Sequence, residues 1–311
     1  MDYSNFYLDK SFFEEEIRCD YKVTAKCKKI WAVQLELLNE LLRVCHKYDI
    51  KVYAFAGTLL GAVRHKGYIP WDDDADVCML SEDYNKLIEV APKEFRHPFF
   101  LQTALTDRKY FFRYARLRNS NTTGLITGEE SADYNNGIFL DIFLLNGYTN
   151  NEILLKKQLF EMKITWKACR AYIADIDKKQ GIKKWIIGAA KKIENIFFKY
   201  ETLVRWNNRV QGRYDKKAQR VTLLTNGKEL MRKYWIDKKD LEEVIYVPFE
   251  NIQLPIPKVY ENFLTHAYGN YMEFPPVEER GIWHEDVITF DPDTPYKDFI
   301  SKMVKDNENI Q

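Results

Sequence analysis

The sequence predicts a mixed α/β fold, and three stretches of the chain indicate it. Residues 24–48 carry apolar side chains at three- and four-residue steps, the pattern of an amphipathic helix. Residues 53–80 have the order of a strand, a glycine turn, a short helix and an acidic strand. Residues 137–145, GIFLDIFLL, are apolar except for one carboxylate, as in a fully buried strand. We therefore expect helices packed on a sheet with buried strands.

The 311 residues suit one large domain whose core is interrupted by an insertion. Residues 1–23 mix aromatic and acidic residues without a clear period, and we predict that they are an N-terminal adornment. Residues 24–149 are predicted to form the first part of the core, and residues 150–217 a mostly helical insertion. Residues 218–311 return to mixed structure and are predicted to complete the core.

Composition and charge exclude several classes of protein. Hydrophobic residues make up 46% of the chain and aromatic residues 15%, which excludes an intrinsically disordered protein. The 47 basic and 46 acidic residues leave a net charge of +1, so we expect no nucleic-acid partner. Five cysteines without a C-x-x-C pair are expected to be free thiols in a reducing compartment. Because neither a signal-peptide pattern nor a membrane-spanning apolar run occurs, we expect a cytoplasmic protein.

The acidic run WDDDADVCML is the most informative part of the sequence. If residues 72–80 are extended, Asp72, Asp74 and Asp76 share one side of the strand, and Asp73 points to the other. Three carboxylates on one side repel one another unless a cation or a proton lies between them. A hard divalent ion with oxygen ligands is the favoured solution at neutral pH. A solvated acidic loop is the alternative, although the run continues directly into an apolar strand.

Two further charged residues lie in stretches with the pattern of strands. Asp141 interrupts the apolar run 137–145, where an unpaired charge is unfavourable, and a cation bound by the acidic run would compensate it. A hydrogen-bonded structural aspartate is the alternative. Arg116 and Arg118 share a parity and can face one way from a strand, where they either contact phosphate or are ordinary surface arginines.

A strand that ends in Gly57-Thr58, a D-x-D strand and a third acidic strand together indicate a nucleotidyltransferase-like active site. The glycine turn lets backbone N–H groups approach a phosphate. The carboxylates of Asp74, Asp76 and Asp141 are predicted to hold one or two Mg²⁺ ions, or Mn²⁺. Such ions neutralise the phosphate and activate the attacking oxygen.

The segment AGTLLGAVRHKGYIPWDDDADV resembles the signature of the LicD family of phosphocholine transferases. This family is a branch of the nucleotidyltransferase superfamily that also includes fukutin-like proteins. The resemblance continues through Asn121-Thr122-Thr123, GIFLDIF and the C-terminal FENIQLPIPKVYENFLTHAYGNYMEFPP. It covers residues 35–145 and 247–284, while the helical insertion is unmatched.

The resemblance implies a nucleotidyltransferase-like mixed sheet flanked by helices, and the transfer of a phospho-alcohol. A CDP-linked alcohol, with CDP-choline favoured, would donate its phospho-alcohol and release CMP. The acceptor would be a hydroxyl of a cell-surface glycan, such as a teichoic acid or lipopolysaccharide, or of its lipid-linked precursor. Two alternatives remain open: a nucleotidyltransferase that moves a whole nucleotide to a small acceptor, and a non-catalytic scaffold that retains the fold.

The resemblance also implies roles for particular residues of the first motif. Gly57 and Thr58 match the family's turn after the first strand, and Asp74 and Asp76 match its metal-binding pair. Asp72 is a candidate for a further ligand or for a supporting residue. One departure is residue 56, an alanine where many members carry glycine or a small polar residue, which puts a backbone–phosphate contact there in doubt.

Other residues are assigned by the same resemblance. Asp141 matches the third carboxylate and is the candidate general base. Arg64 matches the arginine of G-x-x-R-H and would neutralise a phosphate; a cation at a helix end is the alternative. His65 would orient a phosphate or a carboxylate, or simply end the helix. His284, near the C-terminal motif, is a further substrate-binding candidate.

Two features leave the choice between function and packing open. Residues 181–200 place one apolar face beside lysines, which suits either peripheral contact with the inner face of the membrane or packing on the core. A quaternary ammonium would need an aromatic cage. Trp71, Tyr68 and residues 110–112 are available for it, but aromatic residues this abundant are mostly core, so none is assigned.

Overall fold

The computed structural model describes residues 3, 6–110, 112–127, 134–174, 199–281 and 287–308, together with residues 181, 185 and 188. The mixed α/β fold predicted from the sequence is confirmed, with a central mixed sheet flanked by helices. The described strands are β1 (Glu16–Arg18), β2 (Tyr21–Val23), β3 (Tyr53–Ala54), β4 (Asp76–Leu80), β5 (Phe99–Gln102), β6 (Ala115–Asn119), β7 (Thr123–Ile126), β8 (Ile138–Gly147), β9 (Arg220–Thr222), β10 (Ile236–Asp237), β11 (Val244–Phe249), β12 (Ile252–Pro257) and β13 (Val287–Asp291). The described α-helices are α1 (Ala25–Lys47), α2 (Ala56–Arg64), α3 (Ser81–Glu94), α4 (Glu152–Ile173), α5 (Tyr200–Gln211), α6 (Gly227–Lys233), α7 (Glu261–Tyr268) and α8 (Tyr296–Glu308).

Strand β8 is the centre of the sheet. It pairs in parallel with β4, which pairs antiparallel with β3 at the edge. On the other edge of β8, β6 runs antiparallel and leads on to β5. The C-terminal end of β8 pairs with β9, and β9 pairs with β10. Because β8 is almost entirely buried, its near-continuous apolar sequence is what a central strand requires.

Helix α1 confirms the amphipathic helix predicted over residues 24–48. The Thr24 side chain caps it by accepting a hydrogen bond from the Cys27 N–H at 3.2 Å. The predicted apolar stripe is buried, and α1 packs across β6 and β8. This packing places a rigid helix directly behind the acidic run.

The turn after α2 is tied to the C-terminal hairpin β11–β12 through Glu250. The Glu250 carboxylate accepts hydrogen bonds from the Arg18 guanidinium and from the Tyr68 N–H, and its own N–H donates to the Lys66 carbonyl. A Cβ on Gly67 would lie 2.1 Å from a Glu250 carboxylate oxygen, so only glycine permits this approach. Strand β1, through Arg18, and the β11–β12 hairpin, through Glu250, are therefore both held against the turn that precedes the acidic run.

The C-terminal end of α2 packs against residues 271–274, which follow α7. The Arg64 guanidinium donates to the carbonyls of Tyr271 and Glu273, each at 2.9 Å. The Arg64 Nε–H donates to His65 Nε2 at 2.9 Å, and the imidazole stacks on the Phe274 ring with centroids 5.4 Å apart. Burial, aided by the Arg64 charge, lowers the pKa of His65 from 6.5 to about 4.

Helices α4 and α5 form a packed pair within the predicted insertion. The Gln158 side-chain amide donates to the carbonyls of Val210 and Gln211, and the Asn207 amide donates to the Thr165 hydroxyl at 2.7 Å. The predicted amphipathic segment 181–200 lies almost wholly outside the described residues, so its membrane contact stays a prediction. Where the structure describes the chain, no helix is long and apolar enough to cross a membrane. The proposed division into four parts also stays a prediction.

We predict that His65 makes the protein less stable in acid. Its folded pKa is about 4 and its ordinary value is 6.5, so between these values the unfolded chain binds more protons than the folded chain. The contribution to stability is therefore complete above pH 6.5 and is lost as the pH falls towards 4. Urea denaturation of wild-type protein and of His65→Gln between pH 4 and 7 should show a shallower decline for the variant.

The matched control is His46→Gln, because the His46 side chain is exposed at the end of α1. This variant should follow the wild-type pH profile. An unchanged slope in His65→Gln would show that His65 does not titrate in the predicted range.

Candidate active site

The sequence-predicted carboxylates meet in one cavity of about 490 Å³. Asp74, Asp76 and Asp141 line it, and so does Arg116. The rest of the wall is largely aromatic and aliphatic. Its aromatic members are Phe55, Phe112, Tyr114, Phe139, Phe143, Tyr234 and Phe290.

Strand pairing sets the spacing of the two strand carboxylates. Asp76 begins β4 and lies directly opposite Asp141 in the parallel register with β8. The Asp141 N–H donates to the Ala75 carbonyl at 3.1 Å, and the Phe55 N–H donates to the Asp76 carbonyl at 3.0 Å. Since backbone hydrogen bonds hold both residues, their side chains project from fixed positions into the same cavity.

The acidic strand is shorter than predicted, because β4 begins at Asp76 and residues 72–75 are irregular. The alternation that would have turned Asp73 away from Asp72 and Asp74 therefore does not apply. One carboxylate oxygen from each of these three residues lies within 4.8 Å of the others, and Asp73 is buried. Asp72 lies beside the cavity but is not among the residues that line it.

Helix α1 holds this irregular segment through its backbone. The Trp31 Nε1–H donates to the Asp72 carbonyl at 3.1 Å, and the Gln34 side-chain amide donates to the Asp73 carbonyl at 2.8 Å. Both donors are buried, so these bonds are shielded from competing water. The acidic segment is thus a fixed loop and not a freely solvated one.

Gly57 and Thr58 lie in the first turn of α2, where they contact the acidic residues. A Cβ on Gly57 would lie 2.7 Å from Asp72 Oδ2, so glycine makes room for that carboxylate. The buried Thr58 hydroxyl accepts a hydrogen bond from the Asp76 N–H at 2.7 Å. Both residues position carboxylates in this structure, and their phosphate contact stays a prediction.

Ala56 lines the cavity and is the first residue of α2. Its φ of +46° lies in the left-handed region, which is unfavourable for alanine by about 1–2 kcal/mol. Glycine adopts this conformation readily because it has no Cβ, so a glycine at this position would relieve the strain. The alanine at position 56 therefore strains the backbone at the first residue of α2.

Arg116 is buried beside Asp141. Its Nε–H donates to Asp141 Oδ1 at 2.7 Å, and the two residues are register partners in β6 and β8. The guanidinium also lies 4.0 Å from the Phe139 ring centroid and 4.6 Å from that of Phe112. The ion pair and the two rings together fix the Asp141 carboxylate, so the alternative of a surface arginine is wrong for Arg116.

The charges in the cavity are unbalanced. Among the described residues that line it, three are carboxylates and Arg116 is the one guanidinium. Burial, together with the charges of Asp74 and Asp141, raises the pKa of Asp76 well above its ordinary value. Asp76 Oδ1 is buried, and within the described part of the chain it has no hydrogen-bond partner. Oxygen donors in this state fit a hard divalent cation.

Four of the predicted substrate-binding residues that the structure describes, Gly57, Thr58, Arg64 and His65, are not among the residues that line this cavity. Arg64 and His65 lie at the C-terminal end of α2, whereas Ala56 at its N-terminal end lines the cavity. His284 lies outside the described residues. The roles of these residues in substrate binding stay predictions.

The aromatic wall was not assigned from the sequence, although a signal for it exists. Phe112 and Tyr114 share the parity of Arg116, while Phe139 and Phe143 share the parity of Asp141. Alternation along β8 therefore places Phe139 and Phe143 on the side that carries Asp141. Phe112 and Tyr114 precede β6, so alternation does not fix the side on which they lie. Of the aromatic candidates considered, Tyr68 stacks on Trp31 in the core and Trp71 packs near His65.

Comparison with known proteins agrees with this geometry. Residues 49–186 match the LicD/FKTN/FKRP nucleotidyltransferase domain, and this range contains the three cavity carboxylates. The lipopolysaccharide cholinephosphotransferase LicD of Haemophilus influenzae is 27% identical over 263 residues, which cover 81% of this chain and 93% of that protein. An uncharacterized protein of Rickettsia prowazekii is 41% identical over 58 residues, which cover 19% of this chain and 22% of that protein. The comparisons therefore indicate a transferase, in which residues 49–186 match a LicD-type nucleotidyltransferase domain.

Proposed function

We propose that this transferase moves a phospho-alcohol, with phosphocholine favoured, from a CDP-linked donor to a hydroxyl of a glycan. The acceptor is a cell-surface glycan such as lipopolysaccharide or teichoic acid, or its lipid-linked precursor, and CMP is released. The observation that carries the proposal is a single cavity in which three carboxylates lie beside aromatic rings. The similarity to a lipopolysaccharide cholinephosphotransferase supports the same donor and acceptor classes.

The carboxylates of Asp74, Asp76 and Asp141 would hold one or two Mg²⁺ or Mn²⁺ ions, with Asp72 as a further candidate ligand. When bound, such an ion neutralises phosphate charge and lowers the pKa of a hydroxyl. Burial, and then the charges of Asp74 and Asp141, raise the pKa of Asp76, and a bound cation would offset the repulsion among these carboxylates.

Arg116 and Asp141 act as a pair in the proposed reaction. Arg116 donates to one carboxylate oxygen of Asp141 and thereby orients the group. The oxygen of the acceptor hydroxyl attacks the phosphorus that bears the alcohol, and Asp141 accepts the proton of that hydroxyl. The bond from that phosphorus to the CMP oxygen breaks in line with the attack, and CMP leaves with the electron pair.

The aromatic wall suits the quaternary ammonium of choline. Phe143 lies between Tyr114 and Phe55, with ring centroids 4.7 and 5.8 Å away. Tyr234 adds a further ring 5.7 Å from Phe55. A cation that cannot donate hydrogen bonds is held well by aromatic faces in a water-poor cavity. Of the candidates considered from sequence, Phe112 lines the same cavity, whereas Tyr68 and Trp71 are not part of its lining.

A lipid-linked acceptor would require the protein to work at the inner face of the membrane. Peripheral contact through residues 181–200 remains part of the proposal. This contact would depend on the lysines beside the apolar residues of that segment, and binding of the protein to anionic liposomes would measure it.

We predict that CDP-choline, incubated with Mg²⁺ and a glycan acceptor, yields CMP. Phosphorus NMR of the reaction should show one CMP for each phosphocholine transferred. CTP with the same acceptor should yield no pyrophosphate, since pyrophosphate release is the mark of whole-nucleotide transfer. Pyrophosphate release without CMP would replace the proposal by nucleotidyl transfer, and no product from either donor would favour a scaffold.

We predict that Asp76→Asn lowers the transfer rate by at least about 100-fold without unfolding the protein. The variant removes a carboxylate that lies among other carboxylates, so the metal-free variant should melt at the same temperature as metal-free wild type or at a higher one. Each 1 kcal/mol gained in the free energy of unfolding would raise the Tm by about 2–4 °C. Wild-type protein should gain about 2.7 kcal/mol when Mn²⁺ is at 100 times its Kd, and the variant should gain little.

Asp298→Asn is the matched control, because Asp298 is exposed on α8, away from the cavity residues. It should keep both the activity and the Mn²⁺-dependent shift. Near-normal turnover of Asp76→Asn, or an undiminished Mn²⁺ shift, would refute the metal assignment.

We predict that Phe143→Leu weakens CDP-choline binding by about tenfold, because it removes one aromatic face but keeps an apolar side chain of similar size. Binding of CDP-glycerol, which carries no cation, should change much less. Calorimetric Kd values for both donors measure the difference. Phe160→Leu, at a ring that is 61% exposed on α4, is the control. Equal losses for the two donors would exclude a choline subsite at Phe143.

A further inference from the structure

A second cavity of about 660 Å³ lies between α3, residues 103–105, and the insertion helices α4 and α5. Three arginines reach it from two parts of the chain, Arg113 from the core and Arg205 and Arg209 from α5. Trp166 on α4 and Asn208 on α5 complete this side of the wall. Residues of α5 lie beyond the range that matches the family domain.

The charge in this cavity is strongly positive. Its described wall carries three guanidinium groups and one carboxylate, that of the exposed Glu89. Neither Arg205 nor Arg209 has a carboxylate within ion-pair distance anywhere in the described ranges. Since surface arginines are usually dispersed among acidic groups, three that converge on one cavity favour an anionic ligand.

Arg113 differs from the two helix arginines because it is partly buried. It donates one hydrogen bond, at 2.8 Å, to the Thr225 carbonyl, and its guanidinium lies 5.6 Å from the Trp166 ring centroid. Burial lowers its pKa, so its charge is held with incomplete compensation. An oxyanion in the cavity would provide that compensation with the planar, two-point geometry that guanidinium groups favour.

The second cavity adjoins the proposed catalytic cavity. Phe112 and Tyr114 belong to the walls of both. The arginines and the three carboxylates therefore lie in neighbouring cavities that share these two rings as a wall. The donor's diphosphate belongs with the carboxylates and their proposed cation, which leaves the arginine cavity for the other substrate.

We propose that the cavity lined by Arg113, Arg205 and Arg209 binds an oxyanion, phosphate or carboxylate, of the glycan acceptor, an inference that rests on the proposed transfer to a glycan. It orients the acceptor so that a hydroxyl on a neighbouring sugar enters the catalytic cavity. The helical insertion thereby selects charged acceptors over neutral ones. The arginines are positioning residues and take no part in bond making.

The test uses the double variant Arg205→Gln/Arg209→Gln in the full chain. Both side chains are exposed on α5, so their replacement should leave the fold intact. The matched control is Lys163→Gln/Lys167→Gln, which removes two exposed charges from α4 that do not line the cavity. Calorimetry with inorganic pyrophosphate and with glucuronate, in the presence of a metal chelator, measures oxyanion binding without turnover.

Wild-type protein and the lysine variant should bind at least one of the two probes, and the probe that binds identifies phosphate or carboxylate as the recognised group. The arginine variant should bind it about 100-fold more weakly, since each charge-assisted hydrogen bond lost weakens binding by about tenfold or more. Its Kd for CDP-choline should equal that of wild type, while its KM for a charged acceptor rises and kcat changes little.

Three results would overturn the assignment. One is the absence of binding of either probe to wild-type protein, and another is equal probe binding by the arginine variant. The third is a parallel loss of CDP-choline binding, which would make the cavity part of the donor site. If probe binding is lost as expected but no donor yields product, the oxyanion site stands and the proposed transfer fails.

Discussion

The parallel pairing of β4 with β8 is the constraint on which the site depends. It places Asp76 opposite Asp141, and backbone hydrogen bonds on both strands keep the two carboxylates side by side. Two buried carboxylates in such a register repel each other, and strand pairing in a buried sheet is strong enough to hold them there. Arg116, in register with Asp141 on the next strand, offsets only part of the negative charge. The remaining excess is what makes the cavity suited to a cation.

The acidic residues before β4 are held in a different way. Two buried donors from α1, Trp31 and Gln34, bind the carbonyls of Asp72 and Asp73, and the Asp141 N–H of β8 donates to the Ala75 carbonyl. Thr58 in α2 accepts the N–H of Asp76, while Gly57 leaves space for Asp72. Packing of these helices on the sheet is therefore a condition of the site's geometry, as expected where supporting residues must hold charged groups against repulsion.

The two cavities divide the proposed reaction between two parts of the chain. The sheet supplies carboxylates and aromatic rings for the donor, and the helical insertion supplies most of the positive charge for the acceptor. Phe112 and Tyr114, which lead into β6, form the wall between them. Under this proposal, a change in the insertion alters acceptor choice while the cavity carboxylates remain where the sheet puts them.

The sequence by itself was enough to predict the fold class, α1, the buried strand β8 and the three carboxylates that meet in one cavity, Asp74, Asp76 and Asp141, because periodicity and motif spacing are local properties of the chain. Only the tertiary structure decided where β4 begins, that Gly57 and Thr58 support carboxylates, that Arg64 and His65 pack at the far end of α2, and which aromatic rings line the cavity. Those outcomes depend on contacts between residues distant in sequence, such as that of Trp31 with the Asp72 carbonyl, and such long-range packing overrides the local pattern in loops and at helix ends.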